Sequence, residues 1–301
     1  MSKRLDKARD NTPRQWLQRL ADYWTLTKPE VNFLVLVSTL VGFYLASRGG
    51  LDFFRLFHTL MGTLLVASGT GTLNQYIERQ SDKQMRRTAN RPLPAGRLGP
   101  AEALWFGIAL AGLGGWELWV FTNPLASSLA LLTLGTYLLA YTPLKKRTPL
   151  CTLVGAFPGA VPPLIGWAAV RNHLGPEAWV LYAILFLWQF PHLLAIAWMY
   201  REDYARAGLQ LLPRNDREGR TTVGQILGYS LVLIPASLMP VFLGQAGKAY
   251  LVGALVLGLG LFHFGVRLAL QRSNSLARRL VLASIVYLPL VFALLMVDKT
   301  R

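Results

Sequence analysis

Nine long apolar blocks dominate the sequence, and they restrict its fold more than any other feature. We place them at 31–47, 57–77, 101–121, 125–142, 150–170, 178–199, 222–244, 247–266 and 279–297. A helix needs about 20 mainly apolar residues to cross the hydrocarbon layer of a bilayer. Only 15% of the residues are charged, against roughly 25% in an ordinary soluble domain. The sequence therefore predicts an all-α polytopic membrane protein, a bundle of about nine transmembrane helices.

The basic residues are distributed unevenly around these blocks. Of the 31 Lys and Arg residues, 25 lie in the amino-terminal segment and in the connections after the second, fourth, sixth and eighth blocks, and six lie elsewhere. Membrane proteins concentrate Lys and Arg on the cytoplasmic side. We therefore expect segment 1–30 and positions near 88 and 215 to face the cytoplasm, and the carboxyl terminus to face the opposite side.

This charge distribution also bears on partners and on location. A net charge of +16 can indicate nucleic-acid binding, but here the charge is spread over five segments at one membrane face, so we expect a lipid bilayer and no nucleic acid. We expect 1–301 to form a single membrane-embedded domain. Asp6, Asp10 and Asp22 are unusual for a transit peptide, which favours a bacterial plasma membrane. The single cysteine, Cys151, excludes an intrachain disulfide.

The stretch NQYIERQSD (74–82) places polar side chains at the end of the second block. Asn74, Glu78 and Asp82 recur every fourth residue, so on a helix they form one stripe about 12 Å long. Amide and carboxylate oxygens are ligands that suit Mg²⁺, which also bridges to phosphate. The stripe begins inside an apolar block, where polar groups are usually functional. The alternative is a solvated helix end with ordinary surface ion pairs.

Basic residues accompany this acidic stripe. Arg79 lies within the stretch, Arg87 and Arg91 follow it, and Lys145 and Arg147 follow the fourth block on the same predicted side. Arg side chains bind phosphate oxygens in a bidentate manner. Acidic and basic groups together predict a Mg²⁺-dependent diphosphate site. Taken alone, the basic cluster at 145–147 is more typical of a topology determinant.

Two further polar features lie near the same face. Glu202 and Asp203 follow the sixth block and could hold a second metal ion or the other side of the first. His192 lies within LWQFPHLLAIAW (187–198), in the apolar part of that block. A polar side chain in a membrane helix is costly unless it is paired or functional, so a ligand and a buried structural histidine both remain open.

Several stretches together resemble one family of enzymes. They are LTKP (26–29), NQYIERQSD (74–82), MRRTANRPLPAG (85–96), YTPLKKRTP (141–149), VGAFPGAVPPLIGW (154–167), LWQFPHLLAIA (187–197) and REDYARAGLQLLP (201–213). Their order and spacing resemble the UbiA-type intramembrane prenyltransferases over nearly the full length. The element from Arg87 to Pro92 and the segment around His192 resemble the branch of that superfamily that farnesylates heme.

The resemblance implies a fold, a reaction and site residues. It implies a nine-helix bundle with a central cavity and Mg²⁺-dependent binding of farnesyl diphosphate at the cytoplasmic mouth, with heme b as the acceptor and heme O as the product. The implied catalytic residues are Asn74, Glu78, Asp82 and Asp203, and the implied metal ligands are Asn74, Glu78, Asp82, Glu202 and Asp203. The implied diphosphate-binding residues are Lys28, Arg79, Arg87, Arg91, Lys145 and Arg147. The residue implied to contact heme is His192. The second acidic motif departs from the wider superfamily, because Ala207 stands where a paired Asp is usual. A heme A synthase or a terminal oxidase assembly is the implied partner.

Three other functions remain compatible with parts of the sequence. A related prenyltransferase with a 4-hydroxybenzoate or chlorophyll-type acceptor would share the acidic motifs without needing an iron ligand. A proton-coupled transporter would place acidic residues near the middle of the bilayer in both halves, whereas here they lie at one face. A non-catalytic heme-handling membrane protein would explain His192 but would leave the Asn74–Glu78–Asp82 stripe without a role.

Overall fold

The described part of the chain is helical almost throughout. A computed structural model describes residues 13–300 apart from 214 and 217, so residues 1–12 of the predicted cytoplasmic segment lie outside the described residues. The helices are α1 Pro13–Leu26, α2 Pro29–Ala46, α3 Phe53–Asp82, α4 Pro100–Phe121, α5 Pro124–Thr136, α6 Thr142–Leu144, α7 Cys151–Gly159, α8 Pro162–Arg171, α9 Pro176–Met199, α10 Arg201–Arg206, α11 Arg220–Phe242, α12 Lys248–Gln271 and α13 Asn274–Val297. A π-helical turn, Tyr137–Tyr141, joins α5 to α6.

The nine predicted blocks are confirmed as helical spans. Between residues 13 and 300, nine helical segments are long and apolar enough to cross a membrane: α2, α3, α4, α5–α6, α7–α8, α9, α11, α12 and α13. Each coincides with one apolar block. The second block was expected to end at residue 77, whereas α3 continues to Asp82. Differences of the same size occur at the end of α12, Gln271, and at the start of α13, Asn274. The sequence pattern ends where the residues cease to be apolar, whereas the helical hydrogen bonding of α3 continues beyond that point.

Proline and glycine set where these helices begin and how closely they approach. Pro29, Pro100 and Pro176 each stand at the first turn of a span, where the missing N–H removes no helical hydrogen bond. Helices α2 and α8 pack almost backbone to backbone. A Cβ on Gly42 would lie 2.0 Å from the Pro163 carbonyl oxygen, and one on Gly166 would lie 1.9 Å from the Thr39 carbonyl oxygen. Glycine is therefore required at this crossing.

Helix α1 is amphipathic and was not predicted, since segment 1–30 is mostly polar. Trp16, Leu20 and Trp24 project from one side and are more than half exposed, while Leu26 at the helix end is fully buried against Leu98 and its neighbours. Tryptophan is enriched at membrane–water interfaces. The amphipathic pattern and the exposed tryptophans are typical of a helix that lies in the plane of the interface.

Three of the polar connections meet at one end of the bundle. Met85, from the connection after α3, packs with Tyr204 and Leu209 from the connection after α9 in a small buried cluster. The Gln210 amide N–H donates to the Lys145 carbonyl oxygen over 2.6 Å, which joins the connection after α6 to the same assembly. The grouping of these connections at one face, expected from their basic residues, is thereby observed.

The charge asymmetry predicts which end of the bundle faces the cytoplasm. On a Cys151→Ser background, we expect Gln84→Cys and Asn215→Cys, both at exposed positions, to react with an impermeant maleimide only in inverted vesicles. Gly50→Cys, at an exposed position at the opposite end with open space around its Cβ, should react in intact cells. Labelling of Asn215→Cys from outside intact cells would reverse the proposed orientation.

Candidate active site

The predicted stripe forms the last turns of α3 and is buried within the protein. Asn74 and Asp82 are each 1% exposed, and the side chain of Glu78 is 12% exposed. Because α3 continues to Asp82, all three side chains project from one side of a single helix, as their spacing predicts. Buried polar groups and charges need partners, and the neighbouring segments provide them.

Each member of the stripe contacts a basic side chain from a different segment. Lys28 Nζ donates to Asn74 Oδ1 over 2.9 Å, and Lys145 Nζ donates to Glu78 Oε1 over 2.8 Å. The third pair joins Arg91 Nη1 to Asp82 Oδ2 over 2.9 Å. The three pairs form a row in which acidic or amide oxygens alternate with cations.

Lys28 is held in an unusual backbone conformation. Its φ of 54° and ψ of 61° are left-handed, which is uncommon for a residue other than glycine and is disfavoured before a proline such as Pro29. Such residues cost of order 1–3 kcal/mol and persist only where the surroundings hold them. Two side chains hold this turn: Asn32 Nδ2 donates to the Thr27 carbonyl oxygen over 2.8 Å, and Gln75 Nε2 donates to the Leu26 carbonyl oxygen over 2.9 Å.

The electrostatics at Lys28 favour an anion. Burial lowers its pKa to about 7, and the positive charges of Arg91 and Lys145 act in the same direction. Lys145 behaves differently: burial lowers its pKa, but the neighbouring Tyr141 and Glu78 side chains more than offset this, so the pKa is raised overall. Glu78 and Asp82 oppose these effects on Lys28, but three basic side chains stand against two carboxylates. An anion that enters would stabilise the protonated form of Lys28.

The π-helical turn shapes the side of the site opposite α3. It is followed by Thr142, whose hydroxyl donates to the Tyr137 carbonyl oxygen over 2.9 Å and accepts from Asn74 Nδ2 over 3.1 Å. Lys145 Nζ lies 4.4 Å from the centre of the Tyr141 ring, within the range of a cation–π contact. π-Helical turns occur frequently at functional sites, and here the turn orients both Asn74 and Lys145.

The second acidic motif lies beside this site without joining it. Asp203 Oδ2 accepts from the Arg87 backbone N–H over 3.4 Å, and Asp203 also pairs with Arg206, while Glu202 is exposed. Within the described part of the chain, no three His, Cys, Asp or Glu side chains form a group that could hold a metal ion. The five expected metal ligands therefore do not converge as one cluster.

The remaining predicted diphosphate residues are placed differently from one another. Arg87 lies over the Tyr200 ring, 5.1 Å from its centre, between the two acidic motifs. Arg79 turns back along α3, where Nη1 donates to the Tyr76 carbonyl oxygen over 2.7 Å. Arg147 is exposed. The structure brings Lys28, Lys145 and Arg91 to the stripe, and it brings neither Arg79 nor Arg147 there.

His192 lies on α9 and contacts the last span. Its Nδ1 is 2.8 Å from Ser284 Oγ on α13, and its ring stacks on Trp188 with 4.9 Å between ring centres. The Ser284 hydroxyl also lies 2.7 Å from the Val281 carbonyl oxygen, to which it donates. Because a hydroxyl has one proton, Ser284 accepts from an N–H at Nδ1. The lone pair of a neutral imidazole is then at Nε2.

Three residues that orient the site were not identified from sequence: Thr142, Tyr141 and Ser284. Thr142 and Tyr141 belong to the quoted motif YTPLKKRTP, so their neighbourhood was recognised and their roles were not. Ser284 lies in an apolar span with no local signal, and only the packing of α9 against α13 reveals it.

The donor chemistry of the stripe fits Mg²⁺. Asn74, Glu78 and Asp82 offer hard oxygen atoms, and in the described part of the chain the basic side chains engage only one oxygen of each carboxylate. Mg²⁺ in proteins is commonly held by one or two carboxylates, with water and substrate phosphates as the other ligands. The small number of carboxylates is therefore compatible with a metal ion that arrives together with a diphosphate.

This fold and site define a class of membrane enzyme. The UbiA prenyltransferase family profile matches residues 35–292, and the chain belongs to the UbiA prenyltransferase family. Within the family it is similar to proteins named protoheme IX farnesyltransferase. The protein of Solibacter usitatus is 50% identical, and the match covers 93% of this chain and 99% of that protein. The protein of Koribacter versatilis is 46% identical, and the match covers 93% of this chain and 94% of that protein.

Solved structures have the same architecture at much lower sequence identity. A structure of digeranylgeranylglyceryl phosphate synthase has a TM-score of 0.77 at 17% identity, covering 93% of this chain and 98% of the other. A UbiA homolog from Archaeoglobus fulgidus bound to GPP and Mg²⁺ has a TM-score of 0.64 at 16% identity, covering 91% and 99%. These neighbours support the fold. The nine apolar spans of the described residues and the family membership support an integral, multi-pass membrane protein.

Thr142 should be important for turnover because it orients Asn74. We expect Thr142→Val, which keeps the shape and removes the hydroxyl, to lower kcat/KM for the prenyl diphosphate about tenfold, the effect of losing one oriented hydrogen bond. Thr136→Val is the matched control, because Thr136 bonds only within its own helix. Equal activity of the two folded variants would remove Thr142 from the site.

Proposed function

We propose that the protein transfers the farnesyl group of farnesyl diphosphate to a vinyl group of heme b, with addition of water, to give heme O and diphosphate. The reaction takes place in a single membrane-embedded domain, 1–301, of a bacterial plasma membrane, with the site toward the cytoplasm. Three lines of support are the family membership, the relatives named protoheme IX farnesyltransferase and the charge-paired stripe on α3.

The observation that carries the proposal is the pairing along the stripe. Lys28, Lys145 and Arg91 each contact one acceptor group of α3. A magnesium diphosphate has the same alternation of charge, with a cation beside anionic oxygens. When it binds, the carboxylates can turn to the metal and the three basic side chains to the phosphate oxygens. The acid–base pairs of the free protein keep both sets of charges compensated until that exchange.

Asn74, Glu78 and Asp82 would hold Mg²⁺, with Asp203 as a further acid beside the diphosphate. When bound, Mg²⁺ supplies neutralisation of the charge that develops on the departing diphosphate. Lys28, Lys145, Arg87 and Arg91 contribute to the same stabilisation through fixed donors. Because these donors are oriented before the reaction by Thr142, Tyr141 and the turn at Lys28, little reorganisation is needed as the charge develops.

The carbon–oxygen bond of farnesyl diphosphate breaks to give an allylic carbocation. The vinyl group of heme b donates its π electrons to that carbon, and the resulting cation beside the porphyrin ring takes up water and releases a proton. No nucleophilic side chain is needed for this sequence. The apolar helices around the site must exclude bulk water until the carbon–carbon bond has formed.

His192 is the proposed contact to the heme iron. Ser284 accepts from its Nδ1–H and stacking on Trp188 restrains the ring, so Nε2 has the lone pair that an iron ligand requires. Metal-binding histidines commonly donate their other ring N–H to a neighbouring acceptor in this way. This contact would orient the porphyrin. The product is expected to pass to a heme A synthase or to a terminal oxidase assembly.

The direct experiment is incubation of the purified protein with heme b, farnesyl diphosphate and Mg²⁺, followed by mass analysis of the heme. We expect a mass gain equal to one farnesyl group plus one hydroxyl, and none when Mg²⁺ is chelated. 4-Hydroxybenzoate in place of heme b should give no product. Prenylation of 4-hydroxybenzoate without any heme product would overturn the acceptor and retain the transferase.

Asp82 should be required for diphosphate departure. Asp82→Asn removes one negative charge but keeps an oxygen that can accept from Arg91. We therefore expect the protein to fold and the turnover number to fall on the order of 10²-fold or more.

The matched control is Asp52→Asn at the other end of the same helix. Asp52 caps α3 by accepting from the Arg55 N–H, and Asn caps helices equally well, so activity should be unchanged. Near wild-type turnover of Asp82→Asn at limiting Mg²⁺ would refute the metal-binding role.

His192 should be needed for heme binding and should not be needed for binding of farnesyl diphosphate. We expect His192→Ala to weaken heme binding about tenfold or more and to shift the heme absorption spectrum, with little change in the affinity for farnesyl diphosphate. This expectation follows from the loss of one coordinating nitrogen, since 1.4 kcal/mol corresponds to a factor of ten. Ser284→Ala, which leaves the imidazole in place but removes its acceptor, should give a smaller shift in the same direction.

His263→Ala is the control, because His263 lies on α12 and is exposed. Thermal unfolding is measured for all three variants. A histidine with a purely structural role predicts a lower unfolding temperature of His192→Ala with an unchanged heme spectrum, and that result would exclude His192 from the heme site.

A further inference from the structure

A second polar region lies at the end of the bundle opposite the acidic stripe. Two adjoining cavities of about 310 and 590 Å³ share Arg48 and Lys299 in their walls. We call the smaller one, with these two residues, the distal pocket. It is formed by the ends of α2, α8 and α11, the start of α9 and residues 299–300. None of these residues has a role in the proposed reaction.

The distal pocket is unusually cationic for its side of the membrane. Arg48, Arg171 and Lys299 all line it, and they are three of only six Lys and Arg residues that the sequence places on this face. Basic residues are generally sparse on the face opposite the cytoplasm. Glu177 also lines the pocket, so three basic side chains stand against one carboxylate, and the excess of positive charge favours an anion at this position.

Two buried polar atoms in the pocket wall have no hydrogen-bond partner among the described residues. They are Trp167 Nε1 and Gln245 Oε1, on side chains only 6% and 8% exposed. A buried donor or acceptor without a partner is costly. Both residues line the pocket, so a ligand with oxygen acceptors and a hydroxyl or amine donor would satisfy the two atoms once its binding opens a path to them.

Lys299 has one N–H left for such a ligand. Its Nζ donates to the carbonyl oxygens of Tyr44 over 2.8 Å and Ser47 over 2.6 Å. An ammonium group has three donors, so among the described residues one N–H has no hydrogen-bond acceptor, although Nζ also lies 4.7 Å from the centre of the Tyr44 ring. The carboxyl-terminal segment that positions Lys299 is itself fixed, because Thr300 N–H donates to the Gln245 carbonyl oxygen over 3.0 Å and Ala246 forms a bridge with Lys299.

We propose that the distal pocket binds the phosphate of a phospholipid headgroup. The pocket lies at the ends of membrane spans, which is the level of the headgroups in a bilayer. Leu243 lines the pocket, and the adjacent Phe242 is 75% exposed, so an apolar surface begins directly beside the cationic one. That combination matches a molecule with a phosphate and acyl chains.

The experiment uses the full-length protein, purified in detergent and freed of lipid, with dioleoyl phosphatidylglycerol as the probe. Native mass spectrometry measures the lipid retained, and a titration gives the apparent Kd. Dioleoylglycerol has the same chains without the phosphate, and inorganic phosphate has the anion without the chains. We expect retention of the phospholipid alone.

Variants locate the binding. Arg48→Gln combined with Arg171→Gln should weaken phosphatidylglycerol binding about tenfold or more, the effect of losing charge-assisted hydrogen bonds. Trp167→Phe keeps the ring, removes the Nε1 donor and should weaken binding severalfold. Arg55→Gln is the matched control, because Arg55 lies on the same face, is 44% exposed and pairs with Asp52; binding should not change.

Three results would overturn the proposal. One is unchanged binding in both the folded double variant and Trp167→Phe. Another is an equal loss in Arg55→Gln, which would indicate general attraction to the surface. The third is retention of dioleoylglycerol, or stabilisation by inorganic phosphate to the same degree as by the phospholipid, which would exclude the lipid headgroup as the ligand. Because farnesyl transfer is not measured, failure here is separate from failure of the proposed function.

Discussion

Charged groups at the edge of a bilayer must be compensated, and in this protein the compensation draws separate parts of the chain together. Asn74, Glu78 and Asp82 share one helix, while Lys28 precedes the first span, Arg91 lies after the second and Lys145 after the fourth. An unpaired charge at such depth is strongly destabilising. The three connections therefore converge on α3, and the small apolar cluster beneath them completes the assembly.

In the proposed function, the same pairing accounts for a site that is formed before its highly charged substrate arrives. Each basic side chain already points toward the stripe, so binding requires an exchange of partners and little new ordering. The strained turn at Lys28 has a matching role, because the preceding carbonyl oxygens are held by Gln75 and Asn32. Preorganisation of this kind lowers the cost of both binding and reaction.

The sequence predicts the spans well because the bilayer leaves few alternatives for the backbone. Without water in the hydrocarbon layer, each segment must satisfy its own peptide groups, so apolar length alone locates nine helices. Periodicity placed Asn74, Glu78 and Asp82 on one face because it depends only on α3 itself. Contacts between helices could not be predicted in this way. Asn74 and Thr142 are 68 residues apart, and His192 and Ser284 are 92 residues apart, so no local pattern encodes these contacts. The π-helical turn and the interfacial α1 also follow from tertiary placement.

Lys299 connects the end of the first span with the segment that follows the last described span. Its ammonium group caps the carboxyl end of α2, the first span, at a separation of 255 residues from Tyr44 and 252 from Ser47. During synthesis the first span is made early, yet its terminal carbonyl oxygens gain this partner only after all nine described spans have been made. Closure of this end of the bundle therefore depends on residues beyond α13, and loss of Lys299 would remove the contact that joins the first span to that segment.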